Sequence, residues 1–157
     1  MLTRVWTGVA TFCLALLLAE VTLNAQDVPY PTLPKNAGKI EEGAPKKFTA
    51  TGSGLKYRIL RKGTGAMPKA SNSVEVNYHG WLDSGKKFDS SYDNGKSISF
   101  PLSGVIKGWT EGMQLVGEGG MIELQIPAEL GYGARGAGDD VPPNATLHFL
   151  VELIKVK

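Results

Sequence analysis

Few side chains in this sequence have the types and spacing that covalent or metal chemistry requires. His79 and His148 lie in predicted strands without an acidic or histidine partner at ligand spacing, so we treat both as solvated and predict no metal site. Ser90 and Ser91 lie in no nucleophile-elbow motif, and neither histidine belongs to a recognisable triad. Hydrolase chemistry therefore has no support in the sequence.

One glycine-rich stretch matches a cofactor motif in form only. GYGARG at 131–136 fits the dinucleotide fingerprint G-x-G-x-x-G, which must lead directly into a helix N-terminus that holds the pyrophosphate. Here the chain continues through Asp139, Asp140 and two prolines, which cannot open a helix. We therefore interpret the stretch as a loop and predict no cofactor.

The remaining candidates for a functional site are aromatic. They lie on predicted apolar faces or in loops beside them, and they are Tyr78, Phe88, Trp109, Tyr132 and Phe149. Such residues form either a packed aromatic core or, where the cluster is open and carries polar tips, a pocket for an apolar, ring-shaped ligand. Periodicity alone does not decide between the two.

Composition limits the classes of protein to which this chain can belong. The 157 residues, 42% hydrophobic and 20% charged, suit one globular domain with a short appendage. A net charge of +2 is too weak for a typical nucleic-acid binder. Twenty glycines and nine prolines favour tight turns and short elements. The single Cys13 excludes an intramolecular disulfide, so stability has to come from a packed core.

The first 25 residues have the pattern of a secretory signal peptide. Arg4 precedes an apolar run over residues 5–19, and a polar stretch then ends at Ala25. The run is short for a membrane span, which takes about 20 residues, and an uncleaved N-terminal anchor is the alternative. We therefore expect an exported protein whose mature part has no cysteine. A bacterial periplasm is favoured over the lumen of the endoplasmic reticulum.

Residues 26–53 carry four prolines, several lysines and glycines, and no sustained apolar period. We interpret this segment as an extended, flexible leader. It is too short and too broken for a long helical dimerisation arm, so we expect a monomer. The globular domain is predicted over residues 54–157.

From Leu55 onward, the hydrophobic pattern has a period of two. Alternating apolar and polar residues predict five strands, over about residues 55–60, 74–79, 97–102, 121–126 and 146–157. The opposite faces of these strands are polar, which predicts an antiparallel sheet covered on one side only.

One segment has a helical period instead. The apolar stripe Val105, Trp109, Met113 and Val116 predicts a short helix, for which Ser103 is the expected N-cap. Two glycines within it weaken the helix by about 1 kcal/mol each relative to alanine. The helix must therefore be held by packing on the sheet. The expected fold class is α+β, with one short helix across one bent sheet.

Four sequence blocks, in order and at fitting spacing, resemble the FKBP-type peptidyl-prolyl cis-trans isomerases. They are VNYHGWLDSGKKFDSSYDNG at 76–95, GVIKGWTEGM at 104–113, ELGYGARGAG at 129–138 and VPPNATLHFLVEL at 141–153. The likeness covers about residues 53–157. It implies a five-stranded antiparallel half-barrel wrapped around one short helix, and a hydrophobic pocket that accepts proline.

The resemblance also implies roles for individual residues. The expected substrate-binding set is Tyr78, Phe88, Val105, Trp109, Val141 and Phe149, with Trp109 beneath the proline ring. The backbone N–H of Ile106 and the hydroxyl of Tyr132 would hold substrate carbonyls. The carboxylate of Asp89 would face the amide at the rim. Ile106, Tyr132 and Asp89 are therefore the expected catalytic residues.

Several positions depart from the commonest pattern of this family. Ile98 stands where an aromatic wall residue is usual, and the stretch before Gly104 is about two residues shorter. Ala137 and Asp140 replace larger residues in the loop over the pocket, and Asp140 makes the rim more polar. These changes bear on substrate preference and on affinity for macrolide inhibitors.

The function that the resemblance implies is acceleration of X–Pro isomerisation during the folding of exported proteins. Because no bond is made or cut, no nucleophile, metal or cofactor is required. The expected partners are proline-containing, unfolded or partly folded polypeptides and macrolide inhibitors, with no nucleic acid. Two alternatives use the same pocket: a non-catalytic module that holds unfolded chains, and binding of an exported solute.

Overall fold

The computed structural model describes residues 27–157, and the regular structure of this part of the chain is mainly antiparallel β-sheet. The predicted signal peptide, residues 1–25, lies outside the described residues. The strands are β1 (Thr49–Ala50), β2 (Lys56–Arg61), β3 (Ser73–Leu82), β4 (Lys87–Ser90), β5 (Ile98–Pro101), β6 (Met121–Ile126) and β7 (Leu147–Val156). The helices are α1 (Lys107–Gly112) and short 3-10 helices at Ser91–Asn94, Leu102–Gly104, Met113–Leu115, Ala128–Leu130 and Gly133–Arg135. Within residues 27–157, no helix is long and apolar enough to cross a membrane.

The strands form one open sheet in the order β1-β2-β6-β7-β3-β4, and β5 pairs with the first half of β3. The predicted α+β class is confirmed, and the five predicted strands correspond to β2, β3, β5, β6 and β7. The structure adds β1 and β4, which have two and four residues. β1 has too few residues to show an alternation, and β4, with the sequence KFDS, contains only one apolar residue.

One face of the sheet packs against α1 and carries the main hydrophobic core. Alternate residues of the two long strands point to it: Val74, Val76 and Tyr78 of β3, and Leu147, Phe149 and Val151 of β7. None of these six is more than 6% exposed. The register of β3 on β7 pairs Tyr78 with Val151. Side chains of both strands therefore meet on the same face, beside α1.

Helix α1 begins later than the sequence predicts. The predicted N-cap is wrong, because Ser103 lies in the 3-10 helix Leu102–Gly104 and the residue before α1 is Ile106. The carbonyl of Ile106 accepts hydrogen bonds from the N–H groups of Trp109 and Thr110, at 2.9 and 3.1 Å. Helical hydrogen bonding therefore starts at Ile106, and no side chain caps it.

Two glycines allow α1 to lie directly on β6. A Cβ at Gly108 would lie 2.5 Å from Cγ2 of Ile126, and one at Gly112 would lie 2.7 Å from Cδ2 of Leu124. Neither distance leaves room for a side chain. The glycines cost intrinsic helix stability, but they permit the close packing that presses Trp109 into the core.

The opposite face of the sheet is also covered, which corrects the expectation of a sheet covered on one side only. Leu60, Met121 and Leu150 form a second apolar cluster and are fully buried. The residues that cover them include three from the segment before β1: Tyr30, Leu33 and Ile40. The N-terminal segment therefore contributes to the core of the domain.

Arg58 fastens this segment to the sheet. Its side chain is buried, and its guanidinium lies 2.7 Å from the carboxylate of Glu123. It also donates to three backbone carbonyls of the segment, those of Val28, Pro29 and Lys46, over 2.7–2.8 Å. Residues 27–53 therefore differ from the predicted flexible leader. They contain little regular structure, but charged hydrogen bonds hold them against the sheet.

Glu152 provides a second attachment on the same face. Its carboxylate accepts hydrogen bonds from Arg61 at 2.7 Å, from the N–H of Gly38 at 3.0 Å and from the hydroxyl of Tyr92. Burial raises the pKa of Glu152, but these three hydrogen bonds outweigh it and hold the pKa below its usual value. Arg61 also donates to the carbonyl of Lys39 at 3.0 Å. Glu152 and Arg61 thus tie the middle of the segment to the sheet, while Arg58 holds its two ends.

Candidate active site

A cavity of about 430 Å³ lies between the sheet, α1 and the loop after β6. All nine residues that the sequence analysis places in a binding site line this cavity: Asp89, Tyr132, Ile106, Tyr78, Phe88, Val105, Trp109, Val141 and Phe149. They come from strands β3, β4 and β7, from α1 and the segment before it, and from that loop. Asp89 and Tyr132 are exposed and Trp109 is only 4% exposed, so the cavity runs from a solvated mouth to a buried base.

Trp109 lies at the base of the cavity, within a cluster of aromatic rings. Its ring meets those of Tyr78, Phe149 and Phe100 edge to face, with centroids 5.4, 5.3 and 5.8 Å apart. The indole Nε1 is buried and has no hydrogen-bond partner among residues 27–157. Trp109 therefore offers the cavity an apolar ring surface that its neighbours hold in a single orientation.

Gly80 makes room for two of the walls, and sequence analysis missed it. It lies opposite Phe149 on β7 and opposite Asp89 on β4. A Cβ at this position would lie 2.7 Å from Cζ of Phe88 and 2.9 Å from Cε1 of Phe149. Without that Cβ, the two phenyl rings meet edge to face at 5.3 Å. A glycine inside an otherwise regular strand was the available signal.

Phe100 supplies an aromatic wall that the family resemblance placed at another position. The family pattern aligns Ile98 with that wall, but Phe100 lines the cavity and Ile98 packs against the core. The ring of Phe100 lies 6.0 Å from that of Tyr78. The two residues lie on the same face of β5, so the alternation of the strand does not decide which of them reaches the wall.

Asp89 and Tyr78 form a hydrogen-bonded pair at the side of the cavity. The hydroxyl of Tyr78 donates to the carboxylate of Asp89 at 2.6 Å. Burial raises the pKa of Tyr78 above its usual range, and the neighbouring Asp89 carboxylate raises it further. Tyr78 therefore stays protonated at physiological pH and holds the negative charge of Asp89 in place.

Two residues that line the cavity, Ile106 and Tyr132, carry hydrogen-bond donors. Ile106 lies directly before α1, where its carbonyl is engaged by the helix. Its backbone N–H donates to no group within the described residues. Tyr132, in the loop after β6, is 40% exposed, and the N–H of Gly136 bonds to its carbonyl at 3.2 Å. A bound peptide could accept hydrogen bonds from the Ile106 N–H and the Tyr132 hydroxyl.

A small hairpin closes one side of the mouth. Ala137 and Val141 exchange two backbone hydrogen bonds, at 2.9 and 3.1 Å. This bridge buries Val141 to 4% exposure, and Ala137 and Asp140 also line the cavity. The loop is therefore held by its own backbone against the pocket.

Comparison with known proteins identifies the family to which this fold and cavity belong. The family model described as FKBP-type peptidyl-prolyl cis-trans isomerase matches residues 65–154, more than half of the chain. The chain belongs to the FKBP family. All residues that line the cavity lie within the matched region, whereas the N-terminal segment, β1 and β2 lie before it.

Several bacterial FKBP proteins are close relatives of the chain. It is 50% identical over 118 residues to the FKBP-type peptidyl-prolyl cis-trans isomerase FkpA of Escherichia coli K12, which covers 74% of this chain and 43% of that protein. It is 48% identical over 105 residues to the outer membrane protein MIP of Legionella longbeachae, covering 67% and 45%. The crystal structure of Escherichia coli FkpA superposes with a TM-score of 0.68 at 48% identity, covering 74% and 53%. The chain thus spans about half the length of the curated relatives it matches.

Proposed function

We propose that this chain catalyses the cis–trans isomerisation of X–Pro bonds in exported polypeptides. The observation that carries the proposal is the cavity itself. Its aromatic base is buried and apolar, as a pyrrolidine ring requires, and its mouth carries polar groups. The family membership supports the same reaction. A macrolide that presents a proline-like ring would compete for this cavity.

Desolvation of the amide is the first part of the proposed mechanism. Rotation of the bond breaks amide conjugation, against a barrier of about 18–20 kcal/mol. The planar amide carries more negative charge on its oxygen than the twisted one, so water stabilises the planar form more. Placing the proline against Trp109 and the phenyl rings removes that water and lowers the relative cost of twisting.

Orientation and charge are the second part. The N–H of Ile106 and the hydroxyl of Tyr132 would hold carbonyls that flank the rotating bond, which keeps the peptide in a turned geometry. The Asp89 carboxylate, fixed by Tyr78, would face the amide. The oxygen of the planar amide is more negative than that of the twisted amide. A carboxylate beside this oxygen therefore repels the planar form more strongly and disfavours it relative to the twisted form.

We place this activity outside the cytoplasm. The pattern of residues 1–25 predicts export, and one relative is named as an outer membrane protein. We therefore propose a bacterial periplasm or envelope as the compartment and newly exported, proline-containing chains as substrates.

Exchange NMR spectroscopy of a short peptide with a single Leu–Pro bond tests the proposed activity. Uncatalysed exchange takes about 10–100 s at 25 °C. The exchange rate should rise in proportion to the concentration of the protein. An exchange rate that stays at the uncatalysed value at high protein concentration would contradict the proposal.

Tyr132→Phe should lower kcat/KM in the same measurement by about threefold to tenfold, the worth of one neutral hydrogen bond. The hydroxyl is exposed at the mouth, so the fold and its circular dichroism spectrum should not change. Tyr57→Phe is the matched control, because Tyr57 lies on β2 and does not line the cavity. Equal rates for Tyr132→Phe and the wild type would remove Tyr132 from the mechanism.

A further inference from the structure

The charges at the mouth of the cavity have one sign. Two carboxylates, those of Asp89 and Asp140, are among the residues that line it, and no lysine or arginine is. Both carboxylates belong to exposed residues at the rim, above an otherwise apolar lining. A peptide whose proline fills the base must place the neighbouring residues at this rim. The mouth of the cavity therefore favours a substrate with a positive charge beside the proline.

The two carboxylates differ in how freely they can meet such a charge. Asp89 is engaged by the hydroxyl of Tyr78 at 2.6 Å. Asp140 has a looser partner, Lys86, whose Nζ lies 3.6 Å away, and both side chains are more than half exposed. An exposed pair of this kind is weak and is easily exchanged for another cation. The bridge between Ala137 and Val141 nevertheless fixes the backbone beside Asp140.

We propose that Asp140 determines specificity, and that the preferred substrates are polypeptides in which a lysine or arginine flanks the proline. The proposal rests on the isomerase function proposed above and names its substrate class. The cation of the substrate displaces Lys86 from Asp140 and lies between Asp140 and Asp89, over the mouth of the cavity. The rim charge then adds affinity to peptides that the aromatic base alone would not distinguish.

The test compares peptides that differ in one charge only. Protease-free exchange NMR measures kcat/KM for peptides with lysine, norleucine or glutamate directly before the proline, and for a second set with the same residues directly after it. In at least one set, lysine should exceed norleucine about threefold at low salt, and glutamate should fall below norleucine. At 1 M salt, where charges are screened beyond about 3 Å, the three values should converge.

Three variants locate the effect. Asp140→Asn should lower the ratio of lysine to norleucine peptide by about threefold. Lys86→Gln should raise that ratio, because it frees Asp140 from its partner. Asp139→Asn is the matched control: it removes the same charge from the neighbouring residue, which does not line the cavity, and should leave the ratio unchanged.

The outcomes separate this proposal from the function on which it rests. If no peptide is isomerised, the isomerase function itself fails. If all peptides are isomerised at equal rates at low salt, the function stands and the proposed preference is overturned. If Asp139→Asn lowers the ratio as much as Asp140→Asn does, the assignment to Asp140 is overturned.

Discussion

Replacing Arg58 with methionine is expected to lower the free energy of unfolding by about 3–5 kcal/mol, the cost of breaking a buried ion pair on one side. The carboxylate of Glu123, on a residue only 4% exposed, would stay buried without its cation. Three backbone carbonyls of the N-terminal segment would lose their donor as well. Urea denaturation at pH 7 measures the loss, and an unchanged m-value shows that both proteins unfold alike.

Arg61→Met is the control for this substitution. Arg61 is paired with Glu152 at the same distance, but 27% of its side chain is exposed, so water can replace the lost contact. Its loss of stability should be clearly smaller, and equal losses for the two variants would contradict the proposed role of Arg58.

Burial raises the pKa of Glu123. Protonation at lower pH therefore relieves the unpaired carboxylate, and the difference between Arg58→Met and the wild type should shrink as the pH falls.

Trp109→Ala is expected to lower kcat/KM for a Leu–Pro peptide about thirtyfold, because the proline ring loses about 2 kcal/mol of free energy from burial of its apolar surface. The same change removes a side chain that is 4% exposed and contacts three aromatic rings. It should therefore also cost about 3–5 kcal/mol of stability. Trp109→Phe keeps a ring at the base and serves as the second variant. Its kcat/KM should fall about fivefold.

Trp81→Phe is the matched control for both Trp109 variants. Trp81 lies on the other face of the sheet, stacked on His148 at 5.5 Å, and does not line the cavity. Exchange NMR should give wild-type kcat/KM for this variant. If folded Trp109→Phe also keeps the wild-type value, the proline does not lie against the indole.

The sheet could be predicted from the sequence because alternate residues of its strands are apolar and face the main core. In β3, Val74, Val76 and Tyr78 alternate with polar residues, and the alternation corresponds to the buried face. The packing of residues 27–53 could not be predicted in this way. Arg58 and Glu123 occupy polar positions in that alternation, and only the fold brings their charges together with carbonyls about 30 residues earlier. A buried ion pair and a solvated strand face give the same alternation of polar and apolar residues in the sequence.

Periodicity pointed to the aromatic residues, but only the motifs assigned them to a cavity. Asp89 and Tyr132 lie in short blocks that match the family in order and spacing, and the structure brings them to one cavity with Trp109. Their catalytic roles stay predictions. Gly80 and Phe100 were missed for physical reasons: a glycine acts through the space it leaves, and Ile98 and Phe100 lie on the same face of β5, so alternation does not tell which of them reaches the wall.

Catalysis in this cavity is tested most directly by refolding a substrate protein whose slow phase is limited by a non-native X–Pro bond. The rate constant of that slow phase should increase linearly with the concentration of this chain, and the fast phase should not change. Trp109→Phe should give a shallower slope than Trp81→Phe. A slow phase that stays unchanged with the chain in molar excess would contradict catalysis, even if aggregation were suppressed, and would indicate a module that only holds unfolded chains.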